Sequence, residues 1–288
     1  NPRILTTFNE PISDWLSFFM FTFFTDRDGK FQLKSLAESS FDPLSRTCRF
    51  MLTEEAHHMF VGESGIARVV RRTLEVMREL RTDDPAAIRA AGAIDLPTVQ
   101  RYLTFWFSSS LDLFGAESST NAAAYFATGI KGRPDEQQRY TDHVAREGSY
   151  ALDVPAGIEV RVIHTPLRNA LNEIVRNAYV EDCAKGLARW NRLIEAGGHD
   201  FRFVLPSTRF RRTIGNWAGV PTDPSGTPIS SDAYEAHLGE WLPTADDRAF
   251  IASLMRRVVE LGKTAAWIAA PEKGIKERPL DYPYVRLA

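Results

Sequence analysis

A chain of 288 residues, 44% of them hydrophobic, is long enough for one large domain or two small ones with a core that needs no external staple. Its 35 basic residues nearly balance 37 acidic ones, and a net charge of −2 creates no field that would draw it to nucleic acid or to an anionic membrane surface. Cys48 and Cys183 stand far apart in apolar segments, which fits buried, reduced thiols in a cytoplasmic protein better than a disulfide framework.

The chain opens on Asn1-Pro2, with no basic head before an apolar stretch as a signal peptide requires, and reads as a segment of something longer. Residues 12–24 form a very apolar run of only 13 residues, with Asp14 near its start and Asp26 just past its end. That is too short to cross a hydrocarbon core of ~30 Å, and it reads as a buried helix. Through residues 12–39, Trp15, Phe19, Thr22, Asp26, Gly29 and Leu33 recur at alternating spacings of four and three, one stripe of a helix. Ser39-Ser40-Phe41-Asp42-Pro43 breaks the pattern and restarts it, with Asp42 as the expected cap and Pro43 as the first helical position. A second helix is expected over 43–80, its seam formed by Leu44, Cys48, Met51, Glu55, His58, Gly62, Ile66, Val69 and Thr73.

A third helix is expected over 96–128, started by Pro97 and ended by the Gly-rich stretch at 129–134. Residues 134–164 are polar and mixed, a connection holding at most a hairpin around the β-like run at 158–163. A fourth helix begins at Thr165-Pro166 and reaches Glu195, where Gly197-Gly198 stops it. From 201 to 231 the composition shifts to Pro, Gly, Thr and Arg, followed by short helices at 232–241 and 245–261 and an extended tail. The pattern predicts a mainly α fold: a helical bundle portion over 1–200, with 201–288 wrapping it as part of the same domain.

Glu55 and His58 form a Glu-x-x-His pair on the second helix, the half-site with which ferritin-like proteins hold one iron of a carboxylate-bridged pair. In an antiparallel hairpin, residues equally far from the turn lie level. The midpoint between Asp26 and Glu55 falls at Ser40-Phe41, inside the turn, so Asp26 should face the pair at ~21 Å from the bend. Three ionisable groups meeting on an apolar seam cost several kcal/mol unless paired, and a cation removes that cost by coordination. The alternative is a plain salt bridge between His58 and Asp26. Glu54 with His57 has the same spacing, but its seam turns polar, which makes these two outer residues. No histidine follows Asp112, Glu117, Glu173, Glu181 or Asp182 by three positions, and His143, His164, His199 and His237 read as surface or capping residues. Only half of a two-iron site is present.

The runs FFTDRDGKFQLKSLAESSFDPLSRTCRFMLTEEAHHMFVGESG, SSSLDLFGAESSTNAAAYFATG, PLRNALNEIVRNAYVEDCAKG and the terminal WIAAPEKGI…YVRLA resemble the oxygenase components of benzoyl-CoA epoxidases, and the similarity covers the whole chain. The resemblance implies a ferritin-like di-iron protein that takes electrons from a separate NADPH-dependent flavin and iron–sulfur reductase and uses dioxygen to epoxidise the ring of benzoyl-CoA or a similar aromatic acyl-CoA. It also implies Asp26 as a terminal ligand, Glu55 as the ligand able to bridge two Fe ions, and His58 as the imidazole ligand. The family's other ligands belong to helices earlier in its longer chain, so this sequence corresponds to the C-terminal portion, and a complete centre needs those N-terminal helices or another chain. Phe19, Phe23, Met51 and Met59 are candidates for an apolar substrate pocket or for plain core. Arg209, Arg211 and Arg212 are the nearest approach to a CoA phosphate cluster, weighed against a solvated charged face. Two other classes remain open: a non-catalytic helical scaffold retaining half a metal site, and a mononuclear or zinc-stabilised protein.

Overall fold

Asp14 starts the first long helix by accepting hydrogen bonds from the Ser17 backbone N–H at 2.7 Å and the Ser17 hydroxyl at 2.9 Å. The structure, a computed structural model, describes residues 6–132, 148–258 and 265–272. Helix α1 (Trp15–Ala37) is apolar nearly all round because it packs against three others, α2 (Asp42–Leu80), α4 (Leu96–Leu111) and α6 (Leu171–Ala196). Leu16, Met20, Phe23 and Phe24 are fully buried on it. This explains the unbroken apolar run.

The α1–α2 hairpin closes where expected, with one correction. Phe41 occupies the cap position without a side-chain bond, and Asp42 and Pro43 are the first two helical residues. The Asp42 carboxylate complements the positive end of the helix and accepts from Arg46 Nε at 3.0 Å. The Ser45 hydroxyl ties the hairpin by donating to the Ala37 carbonyl at 2.5 Å. Further along, Gly62 and Gly65 let the two helices approach closely: a Cβ added at Gly62 would fall 2.5 Å from the Phe23 backbone nitrogen.

After α2, Arg81 takes a left-handed conformation with φ 55° and Asp84 caps a six-residue helix, α3 (Pro85–Ala90), in a stretch that reads from sequence only as a break. The third expected helix is interrupted. Helix α4 stops at Leu111, a single tight turn follows at Asp112–Phe114, Gly115 reverses the backbone at φ 82°, and α5 (Thr120–Ala127) restarts under a Ser119 cap. The break has a tertiary cause, because the Asp112 carboxylate is drawn to Arg212 Nε at 2.6 Å and to the Thr213 N–H at 2.9 Å.

Strands β1 (Ser149–Ala156) and β2 (Glu159–Pro166) form the expected hairpin, turned through Gly157 at φ 70°. Helix α6 begins after a tight turn at Leu167–Ala170, later than expected. Residues 201–230 carry no helix or strand beyond one Thr222–Pro228 bridge, and the Asn191 side chain pins them by pairing with both the N–H and the carbonyl of Phe203. Helices α7 (Ser231–Trp241) and α8 (Ala245–Leu254) follow. The second of these ends well before residue 261. His143 and most of the expected tail lie outside the described residues. The core is shared by α1, α2, α4 and α6 through Phe23, Phe24, Ile66, Trp106, Tyr179 and Trp190, and the fold is mainly α. Among the described residues, no helix is long and apolar enough to cross a membrane.

Candidate metal centre

The hairpin brings Asp26 of α1 level with Glu55 and His58 of α2, and one ligand atom from each lies within 4.8 Å of the other two. His58 Nδ1 stands 3.8 Å from Asp26 Oδ2 and 3.8 Å from Glu55 Oε2. Glu54 and His57 are exposed on the outer side of α2, while Glu55 turns into the helix interface. The two carboxylates are mostly buried and the His58 side chain is 48% exposed, so the group opens at its imidazole edge.

The electrostatics are unfavourable to two bare carboxylates. Burial, and then the neighbouring Glu55 charge, push the Asp26 carboxyl up to about 6, against a smaller downward pull from His58. Burial likewise raises the Glu55 carboxyl, with His58 opposing. Glu55 Oε2 is buried without a hydrogen-bond partner. A buried carboxylate oxygen that accepts nothing costs on the order of 1–3 kcal/mol, and a cation held by Asp26, Glu55 and His58 satisfies it. Two carboxylates and one imidazole suit iron, manganese or zinc, so these residues fit a metal ion on their own chemistry. They supply three donors, half of what a two-iron carboxylate centre takes from protein.

Asp28 is a nearby acid that sequence reading missed. It is buried, and burial pushes its carboxyl up to about 7. Its contact with Gln32 Nε2 is long, 3.4 Å, and the Gln32 carbonyl in turn accepts from the Lys131 ammonium at 3.1 Å. The signal in the sequence was Arg27-Asp28, two further charges beside Asp26 within a helix otherwise rich in apolar residues. Arg27 is buried as well, its Nε donating to Asp182 at 2.9 Å, with Glu63 at 3.6 Å.

Other sequence candidates have structural duties. Phe19 and Phe23 are core residues packed against Gly65 and Gly186, and Met51 is exposed. The three arginines form no single exposed cluster, since Arg209 and Arg212 line one cavity and Arg211 does not. Arg209 pairs with Asp153, Arg211 donates to the Ser109 hydroxyl at 2.6 Å, and Arg212 is buried between Asp112 and Glu117. His164 bonds to the Ser149 hydroxyl at 3.1 Å, and His237 bonds to Glu240 at 3.0 Å, local roles as expected.

The chain is 56% identical, over 286 residues and 99% of its length, to "Benzoyl-CoA oxygenase component B" of Aromatoleum evansii. It is a relative of that protein. The match spans 60% of the relative's own length. No family model matches the chain.

Proposed function

We propose that this chain is part of a benzoyl-CoA oxygenase component in which Asp26, Glu55 and His58 hold iron. The observation that carries the reading is the buried Glu55 carboxylate oxygen that accepts no hydrogen bond and faces Asp26 and His58, in a chain closely similar to an oxygenase component. The ferritin-like two-iron arrangement belongs to the proposal, with the remaining ligands supplied by protein flanking these residues or by another chain.

Bound iron would supply the activation of dioxygen that an oxygenase needs. The chain's own residues set the conditions for it. His58 brings a neutral nitrogen donor at the open rim, Asp26 an anionic donor from the opposite helix, and Glu55 two oxygens at the base of the group. One turn from Asp26, Phe23 is fully buried and its backbone meets α2 at Gly62, one turn from His58, so the helix interface is closed beside the group. The product is the ring epoxide of benzoyl-CoA or a similar aromatic acyl-CoA. One oxygen atom goes to the ring and the other leaves as water, with two electrons from an NADPH-dependent flavin and iron–sulfur reductase and two protons. The relative's designation as a "component" is in keeping with such a division of labour.

The test is metal analysis of the intact natural protein after anaerobic loading, followed by incubation with benzoyl-CoA, dioxygen and a reductase. About two irons per protein and an acyl-CoA product heavier by one oxygen atom support the proposal. A protein that binds no iron is a scaffold, and one that holds a single zinc is the mononuclear alternative.

A further inference from the structure

Glycine inside a helix is less favourable than alanine, so each helical glycine calls for a reason. For Gly62, Gly65 and Gly186 the reason is packing, since an added Cβ would meet the Phe23 backbone, the Phe19 ring and the Phe23 ring respectively. Gly29, within α1, is different. Its φ is not in the left-handed region, and the three atoms nearest to an added Cβ all belong to the Glu55 side chain: Oε1 at 3.3 Å, Cδ at 3.4 Å and Oε2 at 3.6 Å. The space above Gly29 is filled by a carboxylate.

Building on the metal-centre reading above, we propose that Gly29 is a positioning residue for Glu55, its missing side chain leaving the slot in which the carboxylate lies when it binds a metal ion. A methyl group at this position requires the carboxylate to give by a few tenths of an ångström. In the metal-free protein it does so by rotating about its own torsions. A metal-bound carboxylate is held to its bond length within ~0.2 Å and has no such freedom. An alanine at 29 therefore acts on the loaded state and spares the empty one. Its effect on helix formation runs the other way, because alanine is the better helix former. A glycine kept only for packing would show the two effects with the same sign.

The experiment compares Gly29→Ala with a control, Gly239→Ala on α7, where an added Cβ meets only the Thr244 methyl at 3.5 Å. In the intact natural protein, both variants should melt at or above the parent temperature when metal-free. Anaerobic Fe(II) titration against a chromophoric chelator should show Gly29→Ala binding on the order of 10-fold more weakly, as for residues that orient a ligand, and Gly239→Ala binding like the parent. The Co(II) absorption spectrum of Gly29→Ala should shift. Parent-like affinity and spectrum in Gly29→Ala overturn the role of Gly29 and leave the metal centre standing. A metal-free Gly29→Ala protein melting well below the parent also overturns it, by showing a packing role. A parent that takes up no metal overturns the centre itself, and this inference with it.

Discussion

His58 Nδ1 and Asp26 Oδ2 face one another across the α1–α2 hairpin at 3.8 Å. That gap is wider than a hydrogen bond and narrower than the ~4.2 Å spanned end to end by two metal–ligand bonds of ~2.1 Å. Removing the imidazole should therefore matter to a metal ion and little to the fold. His58→Ala is expected to lose metal loading while its metal-free stability stays within ~0.5 kcal/mol of the parent, because the side chain is half exposed. Metal analysis and a denaturant melt check this, and full loading in the variant would sink the assignment.

The pH dependence follows from the raised carboxyls. Between pH 3.8 and about 6 the folded protein keeps a proton on Asp26 that the unfolded chain has lost. Stability linked to this group is present below the lower value and disappears as pH rises through the upper one. Asp28 extends the window to about 7. Asp182 and Asp223 are shifted downward, so their linkage falls below pH 3.8 and does not mask the effect. Metal-free protein should lose thermal stability from pH 4 to 7, and Asp26→Asn should flatten part of that slope. Loading with metal should reverse it, since coordination competes with protons. Identical slopes in parent and Asn variant would refute the account.

Arg212 and Arg209 should behave very differently despite their proximity in sequence. Arg212 is fully buried between Asp112 and Glu117, so Arg212→Ala removes the arginine paired with Asp112 and leaves Glu117 with Arg176, and is expected to cost ~3–5 kcal/mol in a denaturant melt. Arg209 pairs with a half-exposed Asp153, and Arg209→Ala should cost ~1 kcal/mol or less. Equal costs would contradict the burial that separates them.

Cys183 is fully buried, and burial pushes its thiol up to about 12. Cys48 is buried too, its thiol raised for the same reason. Neither should react with a disulfide reagent at pH 8 until the protein unfolds, after which both should. Rapid modification of Cys183 in the native protein would show that its helix opens locally.

What the sequence revealed and what it concealed divide along contact range. The α1–α2 hairpin was legible because its stripe, its Ser-Ser turn and Pro43 all lie close together, and the facing of Asp26 with Glu55 and His58 followed from symmetry about that turn. The interruption after Leu111 was not, because Asp112 is pulled out of helical continuity by Arg212, 100 residues away. Asp28 escaped notice for the same reason: Lys131, which reaches it through Gln32, comes from a distant part of the chain. The arginine run suggested one charged face, and the left-handed φ of 55° at Arg211 separates its members.

Because Asp26, Glu55 and His58 meet across a single reversal of the chain, bringing them together costs ~1 kcal/mol less loop entropy than joining Asp112 to Arg212. Contacts of such low sequence separation are available early in folding. On the metal assignment proposed above, the three candidate ligands would meet before the loop at 201–230 has docked, so ion capture would not have to wait for the whole fold.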